Sequence, residues 1–422
     1  MKFACFSYRI VLLFFLSTIA GGIAAADKDN FISISGKVVE GTRQKPVGQA
    51  SVQLFGSNIS TVTNNDGIFI LNIPLNTVFT RLEIKRIGYS NRIVNAEAIA
   101  LDKQNLFVLA PETAGDNKAE LPAVSAEYLV EQAQKHIGRN YGKESLAKIA
   151  FYRESVKKGA RNLSLAEVVL DVEKASYSSF DPDLVRLYKG RKITDYRTKD
   201  TSLVKFKGGI ISLMMMDMVK KRQLFLDESH REMYDYKLEG TAYSDNRLHY
   251  IVSFNPRSGA NEAFYRGKVY IDAENYAVSR VEFNMNVRDY PGVAEYFIHE
   301  KPSKVKVKAP EASYIIDFRN IDGDYTLYYA KMNVTYRCKQ KGNWITPTYT
   351  AGAEMVITDE VDQPLVIRDN LVRVHANSIL TEKTEDLENK DYWNGYNIIE
   401  PDKQVGKAIE QLVRASKLRS GR

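Results

Sequence analysis

The five histidines are the first residues to test for chemistry, because a catalytic zinc ion needs three protein ligands and keeps a fourth position open. They are His136, His230, His249, His299 and His375. None of them belongs to a His-Glu-x-x-His or His-x-x-Glu motif, the spacing that would place two zinc ligands on one side of a helix. The sequence therefore argues against a metallocarboxypeptidase, and we predict neither a metal site nor a cofactor.

Paired carboxylates are the second kind of chemistry to consider, since glycoside hydrolysis needs only two acids at a suitable separation. Three acidic clusters stand out: Asp181 with Asp183, Asp322 with Asp324, and Asp359 with Glu360. Their neighbours are typical of turns, so we predict turns and no catalytic pair at these positions. A hydrolase of envelope glycans or esters stays open as the alternative function, because such a pair needs no fixed spacing in sequence.

No nucleophile is marked by its sequence context. The chain lacks a Gly-x-Ser-x-Gly elbow, which would expose a serine at the top of a sheet. Cys338 follows a predicted strand, and a reactive thiol would need a neighbouring base or positive charge. We predict that Cys338 is an inert structural residue.

One segment carries four methionines within five positions: Met214, Met215, Met216 and Met218. Methionine is flexible and polarisable, and it suits irregular cores and adaptable apolar surfaces. On a helix these side chains cover nearly the whole circumference, so the segment either plugs the core or lines a site for an apolar ligand. A basic triplet follows: Lys220, Lys221 and Arg222. In the second interpretation, the triplet contacts an anionic head group.

Residues 1–26 have the form of a secretory signal peptide. Lys2 and Arg9 charge its front, Ile10–Leu16 form an apolar core, and Ala24–Ala26 give a small-residue cleavage site. Its removal would lower the net charge from +7 to +5, because two basic residues leave and no acid does. We predict an exported protein of the periplasm or of the periplasmic face of the outer membrane.

No later stretch approaches the roughly 20 apolar residues that a membrane-spanning helix needs, so we predict no transmembrane segment. Cys338 would be the single cysteine after cleavage, which leaves no intrachain disulfide. A nucleic-acid site would need basic residues interleaved with stacking aromatic residues on one face, and an exported chain has little contact with nucleic acid. We predict no nucleic-acid partner.

Residues 27–110 predict a β-sandwich. Ser33–Val39 alternates as a half-buried strand does, and Asn64–Gly67 has the residues of a hairpin turn before another strand. Residues 111–124 form a polar linker. Several short strands with turns between them are typical of two packed sheets.

Residues 125–400 predict a second, larger β domain. Ser125 can cap a helix that runs to about Ile137. Long strands rich in tyrosine and β-branched residues follow, and helices do not alternate with them, which favours a large curved antiparallel sheet. Residues 401–422 predict a C-terminal helix and a basic tail. The helix would span Asp402–Leu418 and dock on the body with one apolar face: Val405, Ile409, Leu412 and Val413. The predicted fold class is mainly β with a few short helices.

Residues 31–110 resemble a known family. The motifs that carry the resemblance are Gly36-Lys37-Val38, Ala50-Ser51-Val52, Thr63–Phe69 and Ile87-Gly88-Tyr89. In this order they are similar to the carboxypeptidase-like regulatory domain, a transthyretin-like β-sandwich. The resemblance implies an accessory module without catalytic residues, in which Asp66 and Gly67 form a turn.

The strand, turn and strand of Gly267–Phe283 resemble a hairpin of the outer-membrane lipoprotein-sorting fold, a half-open barrel around a helix. This resemblance implies binding and no catalysis. Our leading hypothesis is a non-enzymatic envelope protein that acts as a binding or accessory module and holds an apolar or amphiphilic ligand in the curved sheet. The expected partners are a lipid or other amphiphile, and outer-membrane or surface assembly proteins.

Overall fold

A computed structural model describes residues 31–41, 43–112, 124–195, 205–206, 209–221, 226–257, 265–285, 298–342, 344–361, 372–375, 378, 380, 384–386, 393 and 395–420. The predicted signal peptide and most of the predicted linker lie outside these residues. The described chain is mainly β, with a large antiparallel sheet and few short helices, as predicted. The domain boundaries proposed above stay predictions.

The first eight strands build two small sheets. They are β1 Phe31–Glu40, β2 Lys45–Pro46, β3 Ser51–Leu54, β4 Ser60–Val62, β5 Ile68–Pro74, β6 Arg81–Lys85, β7 Arg92–Asn95 and β8 Asn105–Leu109. One sheet has the order β2-β1-β5, with β8 parallel to β1, and the other has the order β4-β3-β6-β7. Side chains of both sheets share one apolar core that includes Val38, Phe69, Val52 and Ile84. A β-sandwich therefore forms, while its membership of the regulatory family stays a prediction.

The turn at Asn64–Gly67 forms as predicted. The Asn64 side-chain oxygen accepts hydrogen bonds from the backbone N–H groups of Asp66 and Ile68, at 3.0 and 2.9 Å. Gly67 has a φ of +75°, and a Cβ there would lie 2.3 Å from the Val38 carbonyl oxygen. Only glycine fits this position without moving the neighbouring strand.

The remaining strands belong mostly to one twelve-stranded sheet. They are β9 Leu146–Lys158, β10 Arg161–Lys174, β11 Leu184–Thr194, β12 Lys205–Phe206, β13 Tyr234–Ser244, β14 Arg247–Pro256, β15 Tyr265–Asp272, β16 Val278–Met285, β17 Ile298–Glu300, β18 Val305–Ile321, β19 Asp324–Gln340, β20 Thr348–Val361, β21 Val372–Arg373 and β22 Glu385–Asp386. The order is β13-β14-β15-β16-β18-β19-β20-β9-β10-β11-β21, with β22 on β11, while β12 and β17 pair separately.

The two faces of this sheet differ in chemistry. Residues directly opposite each other on paired strands point to the same face. One row of such partners is apolar and fully buried: Val252, Val269, Val281, Ile316, Ala330, Met355, Tyr152 and Val168. The adjacent row, one residue away on every strand and so on the other face, is mostly charged: Ser253, Lys268, Glu282, Ile315, Lys331, Glu354, Arg153 and Glu167.

Helices cover parts of both faces. They are α1 Ala126–Lys135, α2 Ile137–Asn140, α3 Gly209–Met215, α4 Met218–Lys221, α5 Glu228–Arg231 and α6 Lys403–Ser420. The apolar row shares its core with α1 and α3, so we call this side the helix-covered face and the other the charged face. Ser125 caps α1 as predicted, accepting a hydrogen bond from Tyr128 N.

The C-terminal helix α6 lies on the charged face. Its Leu412 packs in a cluster with Leu165 and Ile193, and the other residues predicted for its apolar face border that cluster. The predicted docking of this helix is therefore confirmed. Within the described residues, no helix combines the length and the apolar character needed to cross a bilayer.

Two local predictions can be compared directly with the structure. The Asp322-Gly323 turn is confirmed, because Ile321 and Asp324 pair at the end of the β18–β19 hairpin. The turn predicted at Asp359-Glu360 is wrong, because both residues lie inside β20 beside a register shift between Ile357 and Asp359. A β-bulge supplies the local irregularity there, and the strand continues through it.

Candidate functional site

The helix-covered face carries an aromatic row that is distinct from its apolar row. Phe254, Gly267, Phe283, Tyr314 and Met332 are successive cross-strand neighbours. The rings of Phe283 and Tyr314 stack with centroids 4.8 Å apart. All four side chains are buried, so this part of the face forms an aromatic layer under the surface.

The Tyr314 hydroxyl lies in this layer without a hydrogen-bond partner among the described residues. Its oxygen is buried and receives no bond from the described residues. Burial also raises the pKa of Tyr314 well above its ordinary value, so the hydroxyl keeps its proton and can donate. A buried hydroxyl without a partner costs about 1–3 kcal/mol. Such a group is an exception in folded proteins and calls for an explanation.

The row continues across two more strands to an acid. Met332 faces Ala353, and Ala353 faces Glu154. The Tyr152 hydroxyl donates to Glu154 Oε2 at 2.8 Å, and the backbone N–H of Gly209 donates to the same oxygen at 3.4 Å. Burial outweighs these bonds and raises the pKa of Glu154. The row therefore contains the Tyr314 hydroxyl, which has no partner among the described residues, and the Glu154 carboxyl, whose pKa is raised.

Helix α3 begins directly on this acid. A Cβ on Gly209 would lie 2.2 Å from the Tyr152 hydroxyl oxygen and 2.9 Å from the Ala353 Cβ. Only a residue without a side chain lets the helix backbone approach the sheet so closely. Gly208, the preceding residue in the sequence, lies outside the described residues.

The methionines predicted as a ligand lining lie on and after α3. Met214 and Met218 are buried, Met216 is half-buried and packs against the core, and Met215 is 57% exposed. Two of the four therefore fill the core, which is the structural interpretation of the segment. The exposed Met215, the last residue of α3, leaves apolar, adaptable surface on the outer side of the helix.

The basic triplet does not form a single surface group. The Lys220 side chain is buried, and its ammonium donates to the carbonyl oxygens of Ala175 and Ser176 at 3.1 and 2.6 Å. Lys220 therefore stabilises the protein interior, in contrast with the anion contact predicted for it. Lys221 ends α4, and nothing is described of its side chain. Arg222 lies outside the described residues.

A buried polar cluster holds the start of α4 to the sheet. The Lys174 ammonium lies 2.9 Å from Asp183 Oδ2 and 3.0 Å from Asp217 Oδ2. The Tyr177 hydroxyl donates to the same Asp217 oxygen at 2.8 Å. Asp183, which we predicted as a turn residue, thus also neutralises a buried lysine. Its role is structural, because the Lys174 ammonium lies between the carboxylates of Asp183 and Asp217, and Tyr177 donates to Asp217.

The charged face has its own network, centred on Arg153. Its Nε donates to Glu167 at 2.8 Å, one Nη donates to Glu354 at 3.2 Å, and the other donates to the Ile399 carbonyl at 2.7 Å. Burial alone would lower the pKa of Arg153, but the two carboxylates raise it above its ordinary value. Arg191 completes the neutralisation of Glu167. The sequence analysis did not identify this network, although its charges sit at the centres of otherwise apolar strands.

Two polar cavities open on the charged face. One of about 660 Å³ is lined by residues that include Lys268 and Glu282, and a second of about 190 Å³ is lined by residues that include Arg153. Lys331 and Asn333 line both cavities. The described residues contain no cluster of histidine, cysteine and acids that could hold a metal ion.

Cys338 is a buried residue of β19. Burial raises the pKa of its thiol to about 11, so the reactive thiolate is scarce at neutral pH. This environment agrees with an unreactive cysteine.

No protein-family model matches the sequence, and no curated protein matches it. Among solved structures, the chain is similar to a LolA superfamily protein from Nitrosomonas europaea, with 10% sequence identity and a TM-score of 0.20 over 57% of this chain and 96% of that one. It is also similar to a DUF1329 family protein from Desulfovibrio piger, with 12% identity and a TM-score of 0.23 over 58% of this chain and 92% of that one. Likeness at this level says nothing about what the chain binds.

Proposed function

We propose that this chain is a non-enzymatic binding protein of the cell envelope that holds an amphiphile against the helix-covered face of its large sheet. The observation that carries the proposal is the buried Tyr314 hydroxyl, which has no partner in the described residues. A ligand oxygen at this position would accept its hydrogen bond. Export to the periplasm belongs to the proposal, because the predicted signal peptide lies outside the described residues.

The surroundings of Tyr314 select the kind of ligand. Its ring stacks on Phe283 and lies beside Met332, so a ligand that reaches the hydroxyl meets aromatic and thioether surface. Small-molecule sites are mostly apolar, with a few polar groups that orient the ligand. A molecule with an apolar body and one or two oxygens fits this description, which is the composition of a lipid or other amphiphile.

Helix α3 is the element that would adapt to such a ligand. It has seven residues, and a helix this short has little stability of its own, so packing on the sheet holds it in place. Its methionine side chains can change rotamer at low cost and follow the shape of an apolar chain. Met216, directly after the helix, packs against the core, while Met215 supplies exposed apolar surface.

The alternative function, a hydrolase, would use Glu154 as its acid because its pKa is raised. Glycosidase chemistry requires a second carboxyl group about 5–10 Å away. Tyr152 and Gly209 are the groups that contact Glu154, and neither supplies a second carboxyl. Binding therefore stays the leading function, and hydrolysis stays the alternative.

The test uses a fluorescent fatty acid and two tyrosine variants. Tyr314→Phe removes the partnerless hydroxyl, and Tyr270→Phe removes a hydroxyl from the charged face as a matched control. We expect the first variant to bind the probe about tenfold more weakly, the equivalent of about 1.4 kcal/mol, and the second to bind normally. Because the Tyr314 hydroxyl has no partner among the described residues, we expect its removal to leave thermal stability unchanged.

A second measurement identifies the natural ligand. Protein expressed with its predicted signal peptide is purified from the periplasm, and bound lipids are extracted and identified by mass spectrometry. Recovery of an amphiphile that Tyr314→Phe reduces would support the proposal. Equal probe binding by both variants, with no lipid recovered, would show that the aromatic layer is only a core.

A further inference from the structure

A small cavity lies at the junction between the sandwich and the large sheet. Its volume is about 110 Å³. The sandwich contributes Gln49, Ser51 and Arg86 to its wall, and the sheet contributes Arg280, Arg319 and Tyr328. The cavity is separate from the aromatic layer and from the two polar cavities of the charged face.

The wall of this cavity has an excess of positive charge. Its basic residues are Lys85, Arg86, Arg247, Arg280 and Arg319, and its acids are Asp245 and Asp317. Three of the five cations have carboxylate partners. Lys85 pairs with Asp245 at 2.9 Å, Arg280 pairs with Asp317 at 2.6 Å, and Arg247 pairs with an acid outside the wall, Asp272.

Arg86 and Arg319 are different, because neither makes an ion pair with any residue of the described chain. Arg86 donates to the backbone oxygen and to the side-chain oxygen of Gln49, at 3.2 Å each. Arg319 donates to the hydroxyls of Ser60 and Ser51 at 3.0 and 2.6 Å. All of these acceptors are neutral.

The two arginines are held in an environment that disfavours their charge. Burial lowers the pKa of Arg86 and the neighbouring charge of Arg280 lowers it further, while Asp317 and Glu282 oppose this shift only in part. Burial also lowers the pKa of Arg319, whose guanidinium carbon lies 3.4 Å from the centre of the Tyr328 ring. Both side chains are partly buried, and a partly buried cation without a direct ion pair gains free energy from a bound anion.

We propose that this cavity binds a small oxyanion, a phosphoryl group, between Arg86 of the sandwich and Arg319 of the large sheet. The planar fork of a guanidinium matches the oxygens of phosphate, and two forks from different parts of the chain make such a site selective for it. The cavity has room for a few water-sized groups, which suits one phosphoryl group and excludes a nucleotide. The bound anion would join the two parts of the protein through two arginines that make no direct ion pair within the described residues.

Calorimetric titration with inorganic phosphate tests the site in the full chain. The variant Arg86→Gln keeps a hydrogen-bonding side chain near Gln49 and removes the charge. Arg92→Gln is the matched control, because Arg92 is an exposed sandwich arginine that donates to the Val108 carbonyl. We expect the wild type and the control to bind phosphate alike, and the dissociation constant of Arg86→Gln to be at least tenfold higher.

A second arm separates the two sources of a phosphoryl group. Vesicles of phosphatidylcholine with and without phosphatidic acid are tested for co-sedimentation with the same three proteins. Binding that requires phosphatidic acid and is lost in Arg86→Gln would assign the site to a lipid head group, while binding of phosphate alone would assign it to the free anion.

The outcome that overturns the proposal is the absence of binding in both arms, or binding that Arg86→Gln leaves unchanged. Arg319→Gln adds a check on a purely structural role. If Arg319 only holds the junction together, its loss lowers the melting temperature and leaves the phosphate affinity of the folded protein intact, which would also contradict the proposal. The fatty-acid test of Tyr314 is independent, since the two sites share no residue.

Discussion

Arg153 and Glu167 face each other across the β9–β10 pair, with the arginine Nε 2.8 Å from the carboxylate and both side chains removed from solvent. Each lies at the centre of a strand, where its cross-strand neighbours on the other side are also charged. Glu354 flanks Arg153 and Arg191 flanks Glu167. Every charge of this part of the row therefore has an opposite charge on both sides, which is the arrangement that makes burial tolerable.

Replacing one member of this pair should destabilise the protein strongly. Arg153→Met leaves Glu167 buried with one cation fewer, and we expect a loss of about 3–5 kcal/mol in the free energy of unfolding. The double variant Arg153→Met with Glu167→Met should recover part of it, because no buried charge of the pair remains. Denaturant unfolding of the three proteins measures the difference. As a control, removing the exposed pair of Lys135 and Glu131 should cost less than about 1 kcal/mol.

Asp66 should stabilise the C-terminal helix from outside it. Its carboxylate accepts a hydrogen bond from the backbone N–H of Lys403, the first residue of α6, at 2.7 Å. Asp66→Ala should therefore cost about 1 kcal/mol, the usual value of a lost N-terminal cap, and should raise hydrogen exchange in the first turn of α6. Asp102→Ala, at an exposed position of the same sandwich, is the control. Equal exchange in the two variants would show that the bond does not hold the helix.

Gly209→Ala should detach helix α3 from the sheet. The added methyl group would collide with the Tyr152 hydroxyl and with Ala353, so we expect a loss of about 1–3 kcal/mol and a break in the Tyr152–Glu154 hydrogen bond. Gly138→Ala is the matched control, because a Cβ at this helical glycine meets nothing within 4 Å. It should be neutral or stabilising by up to about 1 kcal/mol. A normal melting temperature in Gly209→Ala would contradict the close approach of α3.

His249 should make the protein less stable as the pH falls. Its ring is buried, and this burial lowers its pKa in the folded state despite the nearby charges of Asp272 and Asp245. The unfolded chain therefore binds a proton at a higher pH than the folded protein does. Stability from this group is complete above the unfolded pKa of about 6.5 and is lost as the pH falls towards the folded value. Chemical denaturation between pH 7.5 and about 5 should show a smaller decline for His249→Gln than for the wild type. A parallel decline in the two proteins would contradict the assignment.

Cys338 should report on unfolding. Because its pKa is raised to about 11 and its side chain is buried, we expect very slow reaction with a thiol reagent at pH 8 in the native protein. Reaction should become fast once denaturant exposes β19, and the two rates together give the free energy of opening. Rapid labelling of the native protein would show that this end of β19 opens locally.

The sequence predicted those elements that are determined by residues close together in the chain. The strand at Ser33–Val39, the Asn64–Gly67 turn and the Ser125 cap depend on local pattern and local hydrogen bonds, and all three form. Strand β11 was not identified, because basic residues run through it. Arg186 and Arg191 find their carboxylates on β10, which the local pattern does not show.

The candidate site was less accessible to sequence analysis for the same reason. The methionine segment was recognised by its composition. Its position on the sheet, however, depends on the close contact of Gly209 with Tyr152, two residues that are 57 positions apart in the sequence. The partnerless hydroxyl of Tyr314 is visible only when all its neighbours are known. Tyrosine is frequent in this chain, and nothing in the sequence around Tyr314 distinguishes it from the others.

The sandwich and the C-terminal segment are tied by bonds between distant positions of the chain. Thr61 donates to the Ile398 carbonyl, Asn64 donates to the Glu400 carbonyl, and Asn72 exchanges hydrogen bonds with Asn397. A ribosome therefore completes the sandwich, whose last strand ends at Leu109, about 290 residues before it makes these partners. Premature termination near residue 395 would remove the residues that bind the sandwich. A truncation at the C-terminus would therefore destabilise the N-terminal module, although the sequence of that module is unchanged.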